Sequence, residues 1–241
     1  MSLPRFHLPE AAPGARLELP DHAAHHAREV LRLRPGAQVR VFDGRGAEFE
    51  AVVETLHRRQ ALLHLGHAVQ ARPEAPLRIV LAVSALRGDR MEWIIQKATE
   101  LGVAGIRPVV TARTDAVARP ALTGTRQERW ERVASGAAEQ CGRAVVPDVA
   151  PTCRLADLLR EPFEGSRLIF CETGGAPLRS LAPGPAALVL IGPPGGWEPG
   201  EVEQAASSGF ERLALGPRIL RTETAAVAAV SALQALWGDL G

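Results

Sequence analysis

Two kinds of hydrophobic pattern divide the chain. Up to about residue 70, apolar and polar residues alternate in short runs: Arg16-Leu17-Glu18-Leu19, Gln38-Val39-Arg40-Val41-Phe42, Phe49-Glu50-Ala51-Val52-Val53 and Ala61-Leu62-Leu63-His64-Leu65. A period of two turns one side of each run inward, which predicts half-buried strands. Asp43-Gly44-Arg45-Gly46 between two of them is a hairpin turn signal. Asp21 to Leu33 changes to helical spacing and predicts one helix, with Ala23, Ala27, Val30 and Leu31 on its inner face. Residues 1–70 therefore read as a small β-barrel-like domain with one helix.

The Pro-rich stretch 71–76, Ala71-Arg72-Pro73-Glu74-Ala75-Pro76, reads as a linker. Beyond it, over 77–241, strands alternate with helices, the mark of a parallel α/β sheet. Leu77 to Val83 and Ile106 to Val110 predict strands. Between them a helix opens at Asp89, read as its cap with Glu92 at capping-box spacing. Met91, Ile94, Ile95, Ala98 and Leu101 share one face of this helix, and Gly102 ends it. A further helix runs from about Thr125 to Gln140, with Trp130, Val133, Ala134 and Ala137 inward. Arg154 to Arg160 reads as a short helix and Leu168 to Cys171 as a strand. Glu172-Thr173-Gly174-Gly175 and Ala182 to Pro185 read as loops.

Leu188 to Ala225 carries the strongest signals. Its apolar run Leu188 to Ile191 stops at Gly192-Pro193-Pro194-Gly195-Gly196. Pro199 then opens a helix whose Glu198, Glu201 and Glu203 complement the helix dipole, and Gly209 closes it. Leu213 to Leu215 stops at Gly216-Pro217-Arg218, and Ile219 to Thr224 leads into a last apolar helix, Thr224 to Trp237. Two strands thus end in glycine-rich turns, and ligands of parallel α/β sheets bind outside strand C-termini. Neither turn fits a dinucleotide fingerprint or a Walker A loop, and no acidic residue closes a ribose site after the first strand. An oxidoreductase with its pocket in the same place is therefore disfavoured. Val227, Val230, Leu233 and Leu236 make the last helix apolar enough to need a partner surface, either its own sheet or a second copy; a homodimer is expected.

Composition narrows this picture. With 28 Lys and Arg against 27 Asp and Glu, no strongly basic nucleic-acid protein is announced, so any RNA contact rests on local patches. No run is long enough to span a bilayer and no signal peptide is seen, so a cytoplasmic protein is expected. The three cysteines, Cys141, Cys153 and Cys171, lack metal or disulfide spacing and read as small buried hydrophobes. His22, His25 and His26 sit at helical spacing, but no local Cys or carboxylate completes a site, and no metal is expected.

Four stretches together resemble one family. Ile191-Gly192-Pro193-Pro194-Gly195-Gly196-Trp197-Glu198-Pro199-Gly200, with Leu215-Gly216-Pro217-Arg218-Ile219-Leu220-Arg221-Thr222-Glu223-Thr224-Ala225, is similar to the signature of RsmE-type ribosomal RNA small subunit uridine-N3 methyltransferases of the SPOUT class. Met91 to Val103, Glu139-Gln140-Cys141-Gly142-Arg143 with Pro147, and His26 with Val30-Leu31-Arg32 resemble three further blocks of that family. The likeness spans nearly the whole chain. One departure is plain: the family usually carries Glu where Pro194 stands.

The resemblance implies a PUA-like RNA-binding domain followed by a SPOUT α/β domain with a deep trefoil knot. It implies S-adenosyl-L-methionine in the glycine-turn pocket and methyl transfer to a uridine N3 of small-subunit ribosomal RNA, naked or in the assembled subunit. Gly192, Gly195, Gly196 and Gly216 would allow close main-chain approach, with Ile191, Leu215, Ile219 and Leu220 as apolar walls. Pro193, Arg221, Thr222, Thr224 and Ala225 complete the implied cofactor set. Loss of the N3 proton calls for a base and for a cation beside the resulting anion. Glu223 and Arg221 are the first pair for these roles, and Arg143 with Glu139 and Gln140 the second group. Arg5, His26, Arg32 and Arg113 are candidate RNA contacts. Rival readings are a SPOUT enzyme acting on transfer RNA or on ribose 2′-hydroxyls, and an RNA-binding module without activity.

Overall fold

A computed structural model describes residues 3–57, 60–114, 126–181 and 184–241. The predicted helix start at Thr125 and part of the loop from Ala182 lie outside the described residues. Two compact units result: residues 1–74 with 135–146, and residues 75–134 with 147–241.

In the first unit, β1 (Arg5–His7), β2 (Arg16–Glu18), β3 (Gln38–Phe42), β4 (Glu48–His57) and β5 (Gln60–Val69) form one sheet in the order β1-β3-β4-β5-β2. All neighbours are antiparallel except the pair β1 and β3. The alternation read from sequence puts Val39, Val41, Phe49, Ala51, Val53, Leu63 and Leu65 into one core. Two register shifts between β4 and β5, at Phe49/Ala51 and Val53/Thr55, bend the sheet.

The helix predicted over Asp21 to Leu33 is shorter and different in kind. Helix α1 (Asp21–His25) passes into a π-helix, His26–Val30, and only Ala27 is buried in these turns. Arg34 precedes Pro35, where α geometry is disfavoured, and Arg32 takes a left-handed φ of 51°. Val30 and Leu31, expected inward, are 63% and 37% exposed.

In the second unit, β6 (Arg78–Ser84) is followed by α2 (Asp89–Glu100), β7 (Gly105–Val110) and α3 (Gln127–Cys141), whose last turns belong to the first unit. Then come β8 (Asp148–Val149), β9 (Cys153–Arg154), α4 (Leu155–Leu158), β10 (Ser166–Phe170) and β11 (Ala176–Pro177). The chain ends with β12 (Ala186–Ile191), α5 (Pro199–Ser207), β13 (Glu211–Ala214) and α6 (Thr222–Trp237). The sheet runs β11-β13-β10-β12-β6-β7-β8, with β9 also on β7, and every pairing is parallel. All six residues of β12 and Ile79 to Ser84 of β6 are buried, as when helices cover both faces.

Helix α2 starts from Gly88 with no side-chain cap, so Asp89 is its first residue rather than its cap. Helix α6 packs against α2, β6 and β12 of its own unit, burying Ala226, Ala229, Val230 and Leu233. Gln234 of α6 donates to the Leu101 carbonyl, 2.9 Å away, and so satisfies the end of α2. Leu236 stays 52% exposed.

Candidate functional site

Three parallel strands set the site. β10 lies between β12 and β13, and all three end at the same sheet edge. Their exits are Cys171-Glu172, Gly192-Pro193-Pro194-Gly195-Gly196 and Leu215-Gly216. A cleft opens there, walled by residues from all three exits.

The first glycine turn is held on three sides. Gly196 N donates to the Pro193 carbonyl at 2.9 Å, with Gly196 at a φ of 72° that favours glycine. Thr222 Oγ1, at the start of α6, donates to the Gly192 carbonyl at 3.0 Å. Trp197 Nε1 donates to the Phe170 carbonyl at 2.9 Å and so fixes its indole. A methyl group on Gly192 would stand 2.8 Å from that indole, so glycine is required by space. Glu198 caps α5 through a reciprocal box with Glu201, which places the far end of the turn.

Of the residues expected to bind a cofactor, Ile191, Gly192, Pro193, Gly196, Leu215, Gly216, Leu220, Thr222 and Ala225 line this cleft. Gly195 faces a neighbouring cavity instead, where its carbonyl accepts from Arg113 Nη1 at 2.7 Å. Ile219 points outward, 76% exposed, and is no wall. Arg221 is the exposed N-cap position of α6, and Thr224 is exposed. Glu223 is half-buried on the first turn of α6, and among the described residues its Oε2 is buried without a hydrogen-bond partner.

Phe170, Cys171, Glu172, Trp197 and Arg218 also line the cleft and were not anticipated as site residues. The exit of an apolar run into Glu172-Thr173-Gly174-Gly175 is visible in sequence, but its position between the two glycine turns is set by strand order. Burial pushes the Cys171 thiol up, which suits a wall and not a nucleophile.

Three of the remaining candidates, Arg113, Arg143 and Arg5, have structural partners. Arg113 bonds Gly195 and lies 3.6 Å from Glu198, so it braces the turn. Arg143, in the first unit, is buried and paired with Glu74, which occupies the guanidinium expected to act in catalysis. Arg5 is likewise consumed: it meets Glu48 at 3.0 Å, donates to the Ala138 and Arg143 carbonyls, and lies 4.6 Å over the Phe42 ring. His26 and Arg32 are exposed. Among the described residues no cluster of three His, Cys, Asp or Glu is placed to hold a metal, and no helix is long and apolar enough to cross a membrane.

Comparison with known proteins agrees over the full length. An RNA methyltransferase domain model matches residues 73–234, and an RNA methyltransferase PUA domain model matches residues 19–65. Ribosomal RNA small subunit methyltransferase E of Synechocystis sp. is 34% identical over 236 residues, covering 95% of this chain and 76% of that protein. The Bacillus subtilis enzyme of the same name is 31% identical over 219 residues, covering 87% and 86%. The crystal structure of ribosomal RNA small subunit methyltransferase E from Neisseria gonorrhoeae, bound to S-adenosyl methionine, superposes with a TM-score of 0.91 at 38% identity, covering 99% of this chain and all of that one. A methyltransferase from Legionella pneumophila, solved with S-adenosylmethionine bound, gives a TM-score of 0.93 at 36% identity.

Proposed function

The chain belongs to the ribosomal RNA small subunit methyltransferase E family, with a PUA-like first domain and a SPOUT-type second one, and on that premise we propose that it moves a methyl group from S-adenosyl-L-methionine to N3 of a uridine in small-subunit ribosomal RNA. The carrying observation is the cleft where β10, β12 and β13 end: it combines bare main chain at Gly192 and Gly216 with apolar walls from Ile191, Leu215 and Leu220. That combination fits a flat heteroaromatic ring read by backbone groups and stacked on aliphatic carbon. The cofactor, when bound, supplies a methyl group on a positively charged sulfur.

The chain's own residues do the rest. Glu223 accepts the N3 proton; its unpartnered Oε2 is a buried acceptor awaiting one. Arg221, exposed at the entrance to α6, stands for the uridine anion or an adjacent phosphate. Holding the reacting atoms in line supplies much of the rate. RNA phosphate is taken by the exposed Arg32 with His26, so affinity falls as salt rises. The family likeness also supports a chain path knotted through the two glycine turns and a working homodimer, for which exposed Leu236 and Leu240 near the C-terminus offer apolar surface.

The test is methyl incorporation from labelled S-adenosylmethionine into undermethylated small subunits, with the product mapped by mass spectrometry. One uridine methylated on its base at N3 is expected. Methyl groups on ribose, on transfer RNA or nowhere would overturn the assignment.

A further inference from the structure

Glu172 is the one carboxylate, and Arg218 the one guanidinium, among the described residues that line the cleft. Glu172 leaves the C-terminal end of the strand lying between the two that carry glycine turns. Its Oε1 would stand 3.4 Å from a methyl group on Gly196, so the carboxylate reaches the first glycine turn. Among the described residues it makes no hydrogen bond or ion pair. Two nearby guanidinium groups are engaged elsewhere, Arg212 with the Thr173 carbonyl and Arg113 with Gly195 and Glu198, and Arg218 of the cleft forms no ion pair with it.

A free carboxylate at the end of a strand neighbouring a glycine turn is how dinucleotide folds read ribose hydroxyls. The physical reason is general: two carboxylate oxygens accept from two adjacent hydroxyls, and the glycine admits the sugar to within bonding distance. We propose that Glu172 recognises the ribose diol of the nucleoside cofactor through paired hydrogen bonds, and that this selects a ribonucleoside over its deoxy counterpart. The inference rests on the cofactor assignment above but names a contact that assignment does not contain. No other described residue lining the cleft carries a carboxylate.

Calorimetry with S-adenosylhomocysteine and its 2′-deoxy analogue on the full chain, wild type and Glu172→Gln, tests this. The wild type is expected to bind the ribose form about 10- to 100-fold tighter, as for a hydrogen bond to a charged group. Glu172→Gln is expected to weaken the ribose form by a similar factor while narrowing the ribose-to-deoxy ratio toward one. Glu172→Asp, which keeps the charge, restores part of that ratio. An unchanged ratio in Glu172→Gln overturns the diol contact while leaving the cofactor assignment intact. Failure of the wild type to bind either compound overturns the cofactor assignment itself, and the contact with it. Circular dichroism on each variant separates lost binding from lost folding.

Discussion

The first unit and the strand-end cleft of the second treat polar side chains in opposite ways. In the first, Arg5 meets Glu48, two carbonyls and the Phe42 ring, His7 N donates to Glu139 Oε1, and Arg143 meets Glu74. In the cleft, Glu172 has no described partner, and on the adjacent turn of α6 Glu223 keeps a buried oxygen unpaired. A satisfied charge holds structure, because removing one partner strands the other in low dielectric. A buried oxygen without a partner, as in Glu223, costs stability and is explained by a ligand that satisfies it, whereas the exposed Glu172 is held by water until a ligand displaces it. Resemblance implies functional roles for Arg5, Arg143 and Glu223, Arg5 toward RNA and Arg143 and Glu223 in catalysis, and their partners separate them.

That contrast breaks most readily at Glu223. Glu223→Gln is expected to slow single-turnover methylation by about 10²- to 10⁴-fold, the worth of a general base, while melting temperature and cofactor affinity stay near wild type. Retained turnover across pH would return Glu223 to a plain helix-start residue. In the other region, Arg5→Ala is expected to cost about 3–5 kcal/mol of stability, because it leaves a buried carboxylate and two carbonyls unpaired. Urea denaturation checks this, and a loss confined to RNA affinity with unchanged stability would mean that Arg5 contacts RNA after all.

Gly192→Val comes next. Trp197 is pinned to Phe170 and has little room to retreat, so overpacking of about 1–3 kcal/mol is expected, read as weaker cofactor binding by calorimetry. Gly216→Ala serves as a milder partner: nothing lies within 4 Å of its added methyl, and only its φ of 79° is strained.

The smallest effect concerns pH. Burial lowers the His7 pKa, partly offset by Asp43, so the fold favours the neutral ring. Its folded pKa is below the unfolded value, so its stability contribution is intact above roughly pH 6.5 and is lost as pH falls through the folded value. Burial raises the Glu139 pKa, and His7 N and Arg5 only partly oppose it. Its contribution has the opposite sign: present below about pH 4.3 and lost as pH rises through the folded value. His7→Gln should therefore flatten the decline of the urea midpoint as pH falls below about 6.5. An unaltered slope would assign that decline to other groups.

Much of this molecule is written locally. The period-two runs placed four strands of the first unit, and Met91, Ile94, Ile95 and Ala98 marked the buried face of α2. The glycine turns marked two of the strand exits that form the cleft, because a backbone stripped of side chains is a covalent property of the sequence. The π-helical turn at His26 escaped detection: helical periodicity does not distinguish i→i+4 from i→i+5 bonding, and Val30 and Leu31 are exposed apolar residues on a surface that patterning assigns to the core. Pro194 is exposed on its turn, and the Gly196 N–H to Pro193 carbonyl bond across it is made.

What the sequence determined by itself was most of the longer elements and the two bends, since dihedral preference and side-chain periodicity act over a few residues. Strand order, which inserts β10 between β12 and β13 and so brings Phe170, Cys171 and Glu172 to the cleft, was decided only in the tertiary structure. So was the fate of each arginine. The hydrogen-bond partners of Arg5 lie 43 to 138 positions away in the chain, and a charge's role depends on which groups the fold brings within about 3 Å of it.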